Sequence, residues 1–151
     1  MLAPGLATML CTITTDALID SAQARAALDE AVRTTFNRTD SDGCMSTNDA
    51  VLLLASGASG IAPEAMEFTE ELRAACQSLA RQLIADAEGA SHDIDITVVH
   101  ASSEAAGEAV ARAVARSNLF KAAVFGNDPN WGRILSEVGT VPATIAPYDP
   151  A

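Results

Sequence analysis

The residues best able to do chemistry in this chain stand near its beginning, in MLAPGLATMLCTITTDA, residues 1–17. Thr8 lies between Ala7 and Met9, and Thr12, Thr14 and Thr15 follow within the same segment. A threonine hydroxyl is a poor nucleophile at neutral pH. It becomes usable when the threonine heads a chain, because its own α-amine, with a pKa of roughly 7.7–8.0, can take the hydroxyl proton. That requires cutting the preceding bond. A hydroxyl poised on its own preceding carbonyl can do so by an N-to-O acyl shift followed by hydrolysis. Physical chemistry alone does not select Thr8 over its neighbours, and an ordinary strand threonine is the plain alternative.

The other reactive side chains offer less. Cys11, Cys44 and Cys76 are odd in number and far apart, with no CxxC spacing, so a disulfide framework is not expected and a reducing compartment is the default. Neither His92 nor His100 stands at metal-ligand spacing from a cysteine, which leaves a zinc site without support. Cys44 with either histidine supplies the residue types of a cysteine hydrolase but no local signature of one. The glycines form no GxGxxG or GxxxxGK[ST] pattern, so nucleotide binding has no motif behind it.

The elements that must position these groups follow from periodicity. Residues 7–15 mix β-branched and apolar side chains and predict a largely buried strand. Asp20 or Ser21 then caps a helix with Leu28, Ala31, Val32 and Phe36 on one face. The polar run NRTDSDGCMSTND, 37–49, crosses the surface or lines a pocket. Within it, STND, 46–49, is read either as a pocket border or as a turn stabilised by its own side chains. AVLLLAS, 50–56, predicts a strand covered on both faces.

From Pro63 or Glu64 the longest helix runs to about Glu88, with Leu72, Cys76, Leu79, Leu83 and Ala87 as its stripe and Gly89 as its stop. DIDITVVHA, 93–101, alternates as a half-buried strand does. An alanine-rich helix spans 103–117, and LFKAAVFG, 119–126, reads as helix or strand. NDPNWGR, 127–133, is a turn that Trp131 can anchor in the core. RILSEVG is a short helix, and the tail holds a possible strand. The resulting β-α-β-α-β-α-β order predicts an α/β or layered α+β fold.

With 151 residues, 49% of them hydrophobic, the chain is long and apolar enough to bury a core. Its net charge of −11 and scattered basic residues repel duplex nucleic acid and anionic membranes. The opening segment lacks the basic region of a secretory signal, and no run reaches the length of a membrane span. A cytoplasmic location is expected, with no nucleic-acid or membrane partner.

Taken with TFNRTDSDGCMSTNDAVLLLASG, DAEG and KAAVFGNDPNWGRILSEVG, the opening segment resembles the ArgJ family, the ornithine acetyltransferases that are bifunctional glutamate N-acetyltransferases of arginine biosynthesis. The blocks run from residue 1 to about 139 in the family's order, and the actinobacterial type fits best. The resemblance implies a DmpA/ArgJ-like fold and a precursor that cleaves itself between Ala7 and Thr8. Thr8 is then the nucleophile. It accepts acetyl from N2-acetylornithine as an acyl-enzyme and passes it to glutamate, without metal or cofactor. Acetyl-CoA is an alternative donor in some members.

Glu88, in DAEG, matches a family glutamate that contacts the substrate, and a carboxylate suits an ammonium group. GNDPNWGR is a scaffold turn on this reading. Residues 1–7 are expected to be the tail of an α segment and 8–151 the first part of a β chain, one incomplete domain. The lysine–glycine run and the oxyanion-hole residues of the family are expected upstream, and further substrate contacts downstream. The implied partners are the α segment of the same precursor and an (αβ)2 assembly. By itself such a piece is expected to be nearly inactive, since a lost oxyanion donor costs on the order of 2.7–4 kcal/mol. The alternative is a non-catalytic domain that keeps the fold.

Overall fold

A computed structural model describes residues 9–40, 43–44, 46–87 and 89–147. Two compact units make up the chain: Met1–Thr39 with Cys44–Glu88, and Asp40–Gly43 with Gly89–Ala151.

The first unit is a βαβ crossover with a second helix packed on it. Strands β1 (Leu10–Thr15) and β2 (Ala50–Ala55) run parallel, with Leu10 opposite Ala50 and Ile13 opposite Leu53. Parallel neighbours cannot be joined by a tight turn, so the chain crosses over through helix α1 (Ser21–Arg33) and a 3-10 turn, Phe36–Arg38. Asp20 starts α1 with a capping box: its carboxylate accepts the Gln23 N–H at 2.8 Å, and the Gln23 side chain accepts the Asp20 N–H at 3.1 Å. Helix α2 (Ala65–Ala85) is capped by Glu64, whose carboxylate accepts the Glu67 N–H at 2.8 Å.

Four-residue spacing brings the buried faces of these helices together. Ala27 and Ala31 of α1 form a core with Leu72 and Cys76 of α2, and Ile13, Leu28, Phe36, Leu53 and Phe68 pack around it. The small side chains let the helix axes approach closely. The strands are covered less than the sequence predicts. Cys11 is the buried residue of β1, whereas Leu10 is 73% exposed, and Leu52 and Leu54 of β2 are about half exposed. Alternation explains this: the helices cover one face of the pair, so every second side chain points away from them.

In the second unit, helix α3 (Glu104–Arg116) starts at Ser103, whose hydroxyl accepts the Ala106 N–H at 3.1 Å. The buried Ser117 ends α3 and caps helix α4 (Asn118–Phe125), its Oγ accepting the Phe120 N–H at 3.1 Å. The ambiguous 119–126 segment is therefore helical. Helix α5 (Trp131–Val138) stops at Gly139 and is tied to the start of α4 by Arg133, which donates to the Leu119 carbonyl at 2.6 Å.

Asp40 lies against α3. Its carboxylate accepts from Arg116 Nε at 2.8 Å, Arg112 Nη1 at 3.3 Å and the Gly43 N–H at 2.9 Å. Gly43 has φ +78°, a conformation that favours glycine, and a Cβ there would crowd the Arg116 side chain at 3.2 Å.

Three expectations fail in this unit. Among the described residues, 93–101 joins no ladder, and the tail forms turns rather than a strand. Alternation makes a segment fit for a sheet, but a strand exists only with a hydrogen-bonded neighbour. Trp131 does not anchor the turn in the core; it is 71% exposed at the first position of α5.

Candidate functional site

Ala7, Thr8 and Glu88, the cleavage-site, nucleophile and substrate-binding residues expected from sequence, lie outside the described residues. Their described neighbours carry the geometry. Met9, which follows Thr8 in the chain, is fastened on both of its polar groups. Its carbonyl accepts the Ala50 N–H at 2.9 Å, and its N–H donates to Asp49 Oδ1 at 2.7 Å. Since β1 and β2 are parallel, the starts of both strands lie side by side, and Met9 stands beside the end of the STND segment.

That segment is held by its own side chains. The Asn48 N–H donates to Ser46 Oγ at 3.1 Å, and Thr47 Oγ1 donates to Asn48 Oδ1 at 2.7 Å. STND is thus a side-chain-stabilised turn, and through Asp49 it also reaches the residue after Thr8. Sequence reasoning weighed the turn but missed Asp49 as the tie to Met9. The signal was the register of two parallel strands, which one sequence does not display.

A shallow hollow lined by Thr14, Thr15, Asp16, Leu54, Ala55 and Ser56 lies at the carboxyl ends of the strands. Leu10–Ile13 of β1 separate its nearest lining residue, Thr14, from Met9, about 17 Å at the usual rise. It is therefore a different place from the Thr8 end of β1.

The cysteines are thiols, Cys11 and Cys76 buried and Cys44 exposed. Burial pushes the Cys11 thiol up, and burial followed by the neighbouring Cys11 sulfur pushes Cys76 up against a lowering contact with Thr35. Neither buried thiol is poised as a nucleophile. The exposed His92 meets the Ser91 hydroxyl at 2.8 Å and packs edge-on to Phe125, with ring centres 6.3 Å apart. Among the described residues, no group of three His, Cys, Asp or Glu side chains is arranged to hold a metal ion. Nor is any described helix long and apolar enough to cross a membrane.

The model of the ArgJ family matches residues 1–150, and the chain belongs to that family. Among its relatives, the arginine biosynthesis bifunctional protein ArgJ of Bifidobacterium longum is 64% identical over 149 residues, covering 99% of this chain. The protein of the same name from Streptomyces avermitilis is 58% identical over 147 residues, covering 97%. The chain spans about 38% of the length of either relative. The crystal structure of the arginine biosynthesis bifunctional protein ArgJ from Bacillus halodurans superposes with a TM-score of 0.82 at 38% identity, over 87% of this chain and 65% of that one. The α/β fold is therefore the ArgJ fold.

Proposed function

We propose that this chain carries the nucleophile of a glutamate N-acetyltransferase, which moves acetyl from N2-acetyl-L-ornithine to L-glutamate through an ester on Thr8. The observation that carries this reading is the family match across residues 1–150, which includes the Ala7–Thr8 step. Residues 1–7 are the tail of an α segment and residues 8–151 the first part of the β chain. The precursor opens between Ala7 and Thr8 by attack of the Thr8 hydroxyl on the Ala7 carbonyl and hydrolysis of the resulting ester.

The freed α-amine then serves as base. Thr8 Oγ attacks the acetyl carbonyl, its proton passes to the amine, and the C–N bond to ornithine breaks as the ornithine nitrogen takes that proton. The glutamate amine attacks the ester in turn, regenerating the threonine hydroxyl. Glu88 pairs with the ammonium group of the substrate. Neither metal nor cofactor takes part, and acetyl-CoA is an alternative acetyl source. The α segment of the same precursor completes the site, in an (αβ)2 assembly in the cytoplasm.

Mass spectrometry of the full-length protein tests the assignment. Thr8→Ala is expected to leave the chain in one piece and abolish acetyl transfer. Thr8→Ser is expected to retain cleavage, since the hydroxyl remains. A Thr8→Ala variant that still splits before residue 8, or an uncleaved parent that transfers acetyl at full rate, refutes the reading.

A further inference from the structure

In a parallel ladder, a residue whose carbonyl accepts from position j+1 of the neighbouring strand donates its own N–H to the carbonyl of j−1. Met9 accepts from Ala50, so its natural acceptor is the backbone carbonyl of Asn48. The Asp49 carboxylate takes that bond instead, at 2.7 Å. A side chain thus finishes the ladder, and the main chain at Ser46–Asn48 is released into its own turn.

The N–H in question belongs to the peptide group that joins Thr8 to Met9. Its nitrogen is three covalent bonds from the α-nitrogen of Thr8, the proposed base. We propose that Asp49 is a positioning residue for the Thr8 nucleophile: by holding the Met9 N–H, it restrains the peptide link through which residue 8 is attached. This inference rests on the reading of Thr8 given above.

Two features favour a positioning role over a mere end to the strand. A carboxylate accepts more strongly from an N–H than a neutral carbonyl does, so the link is held more firmly than by an ordinary ladder bond. Asp49 is in turn fixed from both sides, by the turn before it and by the Ala50 N–H in the ladder after it. Orientation errors of about 1 Å at a nucleophile cost up to about 100-fold in rate. Partial loss of one anchoring bond is therefore expected to cost about tenfold.

The test compares Asp49→Ala with Asp49→Asn in the full-length protein, reading cleavage before residue 8, kcat and KM for acetylornithine. Asp49→Ala is expected to slow both cleavage and kcat about tenfold while KM moves less than about twofold. Asp49→Asn keeps an acceptor oxygen in the same place and is expected to restore both to within about threefold. Asp49→Leu, similar in volume and without an acceptor, replaces the alanine variant if that one fails to fold. Parent-like rates in the acceptor-less variant overturn the inference, as does a change confined to KM or an Asn variant as slow as Ala. Thr8→Ala, run alongside, separates the two ideas: if it stays active, the nucleophile reading fails, whereas a dead Thr8→Ala with a fully active Asp49→Ala refutes only the role of Asp49.

Discussion

Replacing Asp40 by asparagine removes one negative charge from a place where it is well enclosed and doubly paired. The Asp40 side chain is 9% exposed, while Arg112 and Arg116 beside it are 30% and 40% exposed. Burial raises the Asp40 pKa. The Arg116 hydrogen bond, the Gly43 N–H and the charges of Arg116 and Arg112 lower it, and together they outweigh the burial, so the carboxyl sits below its ordinary value. A hydrogen bond to a charged group contributes about 1.5–3 kcal/mol net. Both guanidinium groups stay partly in water and recover hydration when the partner is lost, which trims the figure to about 1–2 kcal/mol for Asp40→Asn at pH 7. Asp40→Ala also strips the acceptor from the Gly43 N–H and is expected to cost about 2–3 kcal/mol.

The pH dependence has a definite sign. A carboxyl whose folded pKa is lowered stabilises the fold fully above the unfolded value, about 3.9, and loses that contribution as pH falls through the folded value. Urea titrations of the parent and Asp40→Asn should therefore differ by a constant amount between about pH 5 and pH 8. The gap should close below about pH 4, down to the lowest pH at which the parent still unfolds cooperatively. A gap that persists unchanged in acid, or an asparagine variant as stable as the parent at pH 7, refutes the electrostatic reasoning and leaves Asp40 as a packing residue.

Leu72 is 5% exposed in the core between α1 and α2, so Leu72→Ala should cost about 2–5 kcal/mol in a urea titration; a loss under about 1 kcal/mol would mean that the two helices do not share that core. Iodoacetamide followed by peptide mass spectrometry should mark Cys44 first in the native protein and reach Cys11 and Cys76 only on unfolding; native labelling of Cys76 at the rate of Cys44 would contradict its burial and raised pKa.

What was legible in the sequence depended on whether the signal was local. The apolar stripe of the longest helix and the cap at Asp20 are local signals, and both helices start where those signals put them, but the longer one ends at Ala85 with Asp86 as its cap, short of the expected Glu88 and Gly89. The stop at Gly139, also a local signal, falls where it was expected. Residues 119–126 were ambiguous because apolar runs of that length suit either state; the Ser117 cap, which donates nothing to the apolar pattern, tips them to helix. The alternation of 93–101 was real, yet pairing is a property of two segments, and among the described residues that partner is missing. Exposure failed for a related reason: Leu52, Leu54 and Trp131 are as apolar as core residues, and only the arrangement of neighbours decides which are covered. At the candidate site, the dispersed ArgJ blocks pointed to Ala7, Thr8 and Glu88, while the Asp49–Met9 bond joins residues 40 apart and carries no composition signal.

The newest end of a cut polypeptide is ordinarily its loosest part, fraying until it meets its first firm contact. Among the described residues the first such contact is at Met9, gripped through both N–H and carbonyl. An opening before residue 8 would create a terminus with a tether one residue long. The entropy of ordering Met9, at the base of that tether, is spent in building the sheet, before any substrate arrives.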